Sequence, residues 1–266
     1  MKSSVLILCA VLCFSYSCTE LDSTSTQPKS FLNISQQNAL SHFELSHAVI
    51  KGSPADLQEV YGDTPIDIPA NQTRKFVSVD PVFHYEDFTL SEVKNTEENL
   101  KIVSKGTNYI TIRGKRYDLA QFHFHRGSEH SIAGTFGAME VHLVHIAPEG
   151  GAIAVIGVLL HVGKANETFG TLFELSPEEP GTISSEEEFN TSHLLPNTAT
   201  PYYNYSGSLT TSPFTPGLTW IVYKLPLTIS EKQLEHYESI YEEENVREQY
   251  PVGDRIIYER TGRARF

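Results

Sequence analysis

From Tyr109 to Val162 the chain consists mostly of segments that alternate at every second residue or run unbroken with apolar side chains. A period of two means strand, because successive side chains then point to opposite faces. Tyr109 to Arg113 and Tyr117 to His125 read as a hairpin turning at Gly114-Lys115-Arg116. Met139 to Ile146 alternates strictly, and Ala152 to Val162 is continuously apolar, as a strand covered on both faces would be. Lys75 to Phe83 and Thr219 to Leu227 add two more strand-like stretches. One helix signal stands out: Ser230 as N-cap with Gln233 completing a capping box, ahead of amphipathic spacing through Leu234, Ile240 and Tyr241. The expected class is α+β and β-dominated: a large, mostly antiparallel twisted sheet with a few peripheral helices in a single domain.

The first residues read differently. Lys2 precedes an unbroken apolar run from Val5 to Phe14, followed by Ser15, Ser17 and Cys18. That is the order of a secretory signal, and the run is too short to span a bilayer. The expected organisation is a signal at 1–18, a Ser/Thr-rich linker at 19–38 and a catalytic domain at 39–266, in an exported protein that is periplasmic, an outer-membrane lipoprotein or secreted. All three cysteines, Cys9, Cys13 and Cys18, fall in the signal, so the mature chain carries no disulfide. Cys18 before a polar linker has the layout of a lipidated first residue, the one membrane attachment the sequence suggests. Ser15-Tyr16-Ser17 before it departs from the usual lipoprotein pattern. The net charge of −13, from 33 acidic and 20 basic residues, argues against a nucleic-acid partner, which would need a basic surface. Five N-x-S/T sequons, at Asn33, Asn71, Asn166, Asn190 and Asn204, are glycosylation sites only in a eukaryotic host.

The chemistry concentrates in two strands. In Gln121-Phe122-His123-Phe124-His125, alternation puts His123 and His125 on one face and the two phenylalanines on the other. Alternate residues lie about 7 Å apart, so two imidazoles can converge on one metal ion. In Glu140-Val141-His142-Leu143-Val144-His145, Glu140, His142 and Val144 share a face. If that face lines the same pocket, His142 completes a three-histidine site. Three protein ligands leave a position open, the catalytic arrangement, and Glu140 is placed to orient a ligating imidazole. The bland alternative is a set of packed or surface histidines. His123-x-His125 with Glu129 also resembles the first motif of a cupin barrel. The flanking glycines miss the cupin spacing, and Gly157 to Asn166 only partly echoes a second motif.

Six separated blocks, in order, resemble the α-carbonic anhydrases. Asp63 to Ile68 resembles that family's Q-S-P-I-D-I, Gln121 to His130 its Q-F-H-F-H-W-G-S-E-H, and Glu140 to His145 its E-L-H-L-V-H. Ala154 to Gly157 resembles A-V-L-G. Tyr205 to Pro213 with Trp220-Ile221-Val222 resembles Y-P-G-S-L-T-T-P-P and W-I-V. Asn245 to Arg247 with Pro251 to Arg255 resembles N-x-R-P and P-L-N-x-R. The resemblance implies reversible hydration of carbon dioxide to bicarbonate, with Zn2+ on His123, His125 and His142. It implies that Thr210 accepts a hydrogen bond from the zinc-bound hydroxide and donates one to Glu129. Gln121 and Glu140 would hold His123 and His142. Val144, Val155 and Leu209 would line the apolar substrate pocket, and Thr211 would meet bicarbonate or inhibitors at the mouth. Aromatic sulfonamides would inhibit.

Departures from the family pattern narrow the expectation. Asn71 to Phe76 aligns with N-N-G-H-x-F, so the proton-shuttle position is expected to hold Arg74. Arginine keeps its proton at neutral pH. Arg126 stands for a tryptophan and Asp63 for a glutamine, both expected to concern packing; the family's N-terminal W-x-Y has only a weak counterpart in His42 to Leu45. The competing functions are a non-enzymatic binding relative, which would be expected to lose a ligand, and a zinc esterase using the same nucleophile.

Overall fold

The computed structural model describes residues 62–75, 81–105, 107–197 and 200–260. The signal, the linker, Cys18 and His42 to Leu45 lie outside these residues, as does part of the Lys75 to Phe83 stretch.

Six strands carry the architecture: β1 (Leu100–Val103), β2 (Lys115–Arg126), β3 (Met139–Ile146), β4 (Ile153–Val162), β5 (Tyr202–Ser208) and β6 (Pro216–Tyr223). They lie side by side in the order β1-β2-β3-β4-β6-β5 within a larger mixed sheet. The ladders β1/β2, β2/β3, β3/β4 and β5/β6 are antiparallel, as expected, while β4/β6 is parallel. Short strands extend both ends: Val93–Asn95 and Gly181–Ile183 beyond β1, Tyr258–Arg260 and Arg74–Lys75 beyond β5.

Three boundaries differ from the sequence expectation. The hairpin turns at Arg113-Gly114, since Ile112 pairs directly with Lys115. Both turn residues have positive φ, 51° and 78°. A two-residue turn of this kind needs positive φ at both positions to match strand twist, and Gly114 meets the need without strain. The Thr219 to Leu227 stretch is two strands. β6 stops at Tyr223, and Leu227–Ile229 pairs separately with the end of β4. Pro226 between them has no N–H to donate to a ladder. Helix α1 (Glu167–Glu174) is an addition, capped by Asn166 and burying Phe169, Leu172 and Phe173.

Helix α2 (Glu231–Ile240) starts where expected, with the Ser230–Gln233 capping box complete. Gln233 also bonds the backbone of Asn166, so the N-termini of the two helices are joined.

The sheet separates two apolar clusters. Phe122, Phe124, Val141, Leu143, Ile156 and Val158 meet the helices on one face. Val144, Val155, Tyr203, Tyr205, Trp220 and Val222 pack on the other. One irregularity sets which residues of β2 belong to which face. The β2/β3 register runs from Gln121↔Val144 to Leu119↔His145, leaving Ala120 without a partner on β3. This β-bulge moves the helix-side positions from Tyr117 and Leu119 to Phe122 and Phe124.

Candidate metal centre

His123 and His142 face each other across the β2/β3 ladder, and His125 stands opposite Glu140. The face opposite Phe122 and Phe124 therefore presents all three imidazoles together, 1–6% exposed. Ring centroids lie 5.0 Å apart for His123 and His125, 5.3 Å for His123 and His142, and 4.6 Å for His125 and His142. One nitrogen from each lies within 4.8 Å of the others.

Each ring has its other nitrogen held by a different acceptor. His123 Nδ1 donates to Gln121 Oε1 at 2.8 Å, and His125 Nδ1 donates to the Asn245 carbonyl at 2.9 Å. His142 Nε2 donates to Glu140 Oε1 at 2.9 Å. A neutral imidazole has one donor and one acceptor nitrogen. The lone pairs of His123 Nε2, His125 Nε2 and His142 Nδ1 are thereby left for the shared space. His123 Nε2 and His125 Nε2 are buried without any hydrogen-bond partner. Orphaned buried nitrogens facing one another are costly unless a cation takes them, so the donor set fits a divalent metal of zinc type.

Electrostatics agrees. Burial pushes His123 well below the usual imidazole range, and the neighbouring His125, His142 and Lys101 push the same way. Burial also lowers His125. For His142 burial acts downward too, but the charge and hydrogen bond of Glu140 outweigh it and the net shift is upward. Glu140 would be raised by its own burial, yet His130 and His142 hold it well below the carboxylate range. The downward shifts of His123 and His125 and the ionised Glu140 favour the states that metal binding requires, while the pull of Glu140 on His142 is one that a bound cation would have to displace.

Glu129 lies beside the same space. Its Oε2 is 3.5 Å from His125 Nε2 and 3.7 Å from His142 Nδ1, is buried, and has no hydrogen-bond partner. Its Oε1 accepts the Arg247 N–H at 3.0 Å. Thr210 is buried at the start of the segment after β5, two residues beyond Ser208, and makes no hydrogen bond to Glu129 here. Val144 and Val155 pair across the β3/β4 ladder, and Leu209 packs against their cluster. Thr211 is exposed.

Four contributors have no role in the sequence reading. The carbonyl of Asn245 and the N–H of Arg247 are backbone groups, which no residue type announces. His130 donates to Glu140 Oε1 at 2.8 Å through Nδ1, and Tyr205 donates to His130 Nε2 at 2.6 Å. His130, Glu140 and His142 form a second potential cation cluster by proximity. Their nitrogens are spent on Glu140 and Tyr205, or belong to the first centre, so that cluster is a hydrogen-bonded support. The blocks Q-F-H-F-H-x-G-S-E-H and Y-x-G-S-L-T-T already contained both His130 and Tyr205.

Arg74 is a correction. It lies on the two-residue strand paired with Tyr258–Arg260, and four strands separate it from β3. At about 4.8 Å per strand that is roughly 24 Å along the sheet from His142. Asn95 to Leu100 is the segment that instead leads into β1, whose Lys101 pairs with His123. Glu97 there has φ 72°, at the place of the glycine in N-N-G-H-x-F. This register puts Glu98, which is exposed, at the histidine's place.

A sheet of this topology with three buried histidines on neighbouring strands, each oriented by a separate acceptor, defines the α-type carbonic anhydrase class. Residues 61–261 match the family described as eukaryotic-type carbonic anhydrase. The chain belongs to that family, whose named members are lyases that hydrate carbon dioxide. It is 35% identical over 206 residues to a carbonic anhydrase of Klebsiella pneumoniae, covering 76% of this chain and 81% of that one. The α-carbonic anhydrase of Thermovibrio ammonificans, solved with the inhibitor sulfanilamide, superposes with a TM-score of 0.71 at 35% identity, covering 77% and 91% of the two chains. Dioscorin, solved with ascorbate, shares the fold at 23% identity and a TM-score of 0.67, covering 81% and 97%.

Proposed function

We propose that this chain catalyses the reversible hydration of carbon dioxide to bicarbonate and a proton, with zinc on His123 Nε2, His125 Nε2 and His142 Nδ1. One observation carries the reading: three buried imidazoles with converging free nitrogens, each locked in its tautomer by Gln121, Asn245 or Glu140. Zinc held there would supply a nucleophile at neutral pH, carbonic anhydrase itself being the standard example of a site that brings the pKa of bound water to about 7.

The chain's own groups do the rest. Glu129 is assigned to accept from Thr210, a role supported by its buried Oε2, which no donor occupies. A threonine hydroxyl that donates to Glu129 can only accept from the nucleophile, which fixes the direction of its attacking lone pair. Val144, Val155 and Leu209 offer an apolar wall suited to a small neutral substrate. Thr211, one residue further on, offers a hydroxyl at the mouth to bicarbonate. Glu98 stands at the relay position for the proton released in each cycle. Export through the N-terminal signal, with Cys18 as a lipid anchor, belongs to the same proposal, and mass spectrometry of the mature N-terminus tests it.

Metal analysis and stopped-flow hydration test the function together. One zinc per chain, rapid hydration and inhibition by an aromatic sulfonamide are expected. A zinc-replete chain that hydrolyses esters but leaves carbon dioxide untouched would move the assignment to an esterase, and a chain without zinc would move it to a binding relative.

A further inference from the structure

Arg126 ends the strand that carries His123 and His125, and its side chain is one-quarter exposed. Where the family pattern has an indole, this chain has a guanidinium, and its donors have definite targets. Nε donates to Glu238 Oε1 on α2 at 3.1 Å, and Nη1 donates to the Glu242 carbonyl just beyond the helix end. Helix α2 has no basic residue in its last turn, and Glu242, Glu243 and Glu244 follow it. A helix C-terminus carries partial negative charge and carbonyls in need of donors. Arg126 supplies both a cation and a donor there, from a neighbouring strand.

The segment after that carbonyl runs back along the site. Asn245 is fastened to the end of β2 three times. Its Oδ1 accepts the Arg126 N–H at 2.7 Å, its Nδ2 donates to the Phe124 carbonyl at 3.2 Å, and its own carbonyl accepts His125 Nδ1 at 2.9 Å. Two residues later the Arg247 N–H holds Glu129. Residues 242–247 are thus a strap whose backbone orients one metal ligand and the carboxylate beside the metal space.

We propose that Arg126 is a positioning residue: its guanidinium latches the 242–247 strap to the ligand strand and so sets the orientation of His125 and Glu129. The inference rests on the zinc reading above. It makes the latch an ion pair at the protein surface, which salt weakens, where an indole would have made it a salt-insensitive packing contact.

The test uses the zinc-loaded full chain and compares the parent with R126M, R126K and E238Q. Zinc release into a chelator in excess is timed at low and high ionic strength, alongside the kcat and KM of hydration. R126M should release zinc about tenfold faster, the low end of what support of a ligating histidine contributes. Its kcat should fall while KM stays near the parent's value, because the nucleophile is disoriented rather than the substrate excluded. R126K and E238Q should fall between R126M and the parent. Release from the parent should quicken with salt, and release from R126M should not. A parent that takes up no zinc overturns the function and, with it, this proposal. A zinc-loaded, active parent whose R126M releases metal at the parent rate overturns the latch alone. Should R126M fail to fold, parent-like, salt-independent release from both R126K and E238Q does the same.

Discussion

Gly157 lies directly across the β3/β4 ladder from His142, and a methyl group added to it would stand 2.7 Å from Glu140 Oε1. That oxygen accepts from both His142 and His130, so the missing side chain is what lets the carboxylate sit beneath the ligand. Gly157→Ala should displace Glu140 and weaken zinc binding about tenfold or more. Competition against a chelator of known affinity checks it, and unchanged affinity would show that Glu140 can shift without cost to His142.

Thr210→Ala should keep its zinc and its melting temperature but lose on the order of 100-fold in kcat/KM, since the lost contact positions the nucleophile. Stopped-flow hydration with a metal assay on the same sample separates the two. Parent-like hydration would remove Thr210 and Glu129 from the mechanism.

Proton release should limit kcat at low buffer, because a carboxylate is far more acidic than an imidazole and a poor partner for a donor titrating near pH 7. Small imidazole buffers should raise kcat and leave kcat/KM unchanged. Glu98→His should raise kcat at low buffer and blunt that dependence, while Arg74→His, across four intervening strands, should do nothing. An Arg74→His variant that relieves the buffer dependence would reverse the placement of the relay.

His145 is buried on the helix side of β3, donating from Nδ1 to the Leu143 carbonyl and accepting from the Tyr85 hydroxyl at 2.7 Å. Burial lowers it from 6.5 to about 3. The unfolded chain binds a proton there below about pH 6.5 and the folded chain does not until about pH 3, so this group's contribution is intact above pH 6.5. It is lost progressively as pH falls through that window, at up to about 1.4 kcal/mol per pH unit. Urea titrations at several pH values should give His145→Gln a shallower acid slope than the parent, and equal slopes would mean that His145 is protonated in the fold.

The ligand triad was legible because metal sites on strands need side chains of one type on one face, and period two exposes that directly in His123, His125 and His142. Glu140 followed from the same alternation, and Gln121 from the resemblance of its block to the family's. What stayed hidden has physical causes. Asn245 acts through its carbonyl, which every residue possesses. Arg74 sits in a stretch that matches a loose six-residue pattern, and only strand pairing reveals that Asn95 to Leu100 leads into the strand bordering the ligand strand. Helix α1 did carry a signal, Asn166 ahead of Phe169, Leu172 and Phe173 at helical spacing, but its eight residues are fewer than periodicity resolves well. Arg126 was read as packing because a sequence gives its charge but not the distant acceptors that charge meets.

The unpaired Ala120 works as a parity bit for the whole strand. Uninterrupted alternation from Tyr117 and Leu119 would assign every odd position to the helix side, and 121, 123 and 125 are all odd. Two imidazoles would then be walled into hydrocarbon and two phenylalanines would face the metal space. A single looped-out residue inverts the count, so the positions C-terminal to it take the other parity. The bulge therefore protects the site from the extra residue: Ala120 is looped out of the ladder, and the ligand positions keep the face they would have without it. Replacing Ala120 with another small residue should pass unnoticed, and deleting it should only straighten the ladder, since Leu119 and Gln121 already meet neighbouring partners, His145 and Val144, and His123 and His125 would keep the face they have.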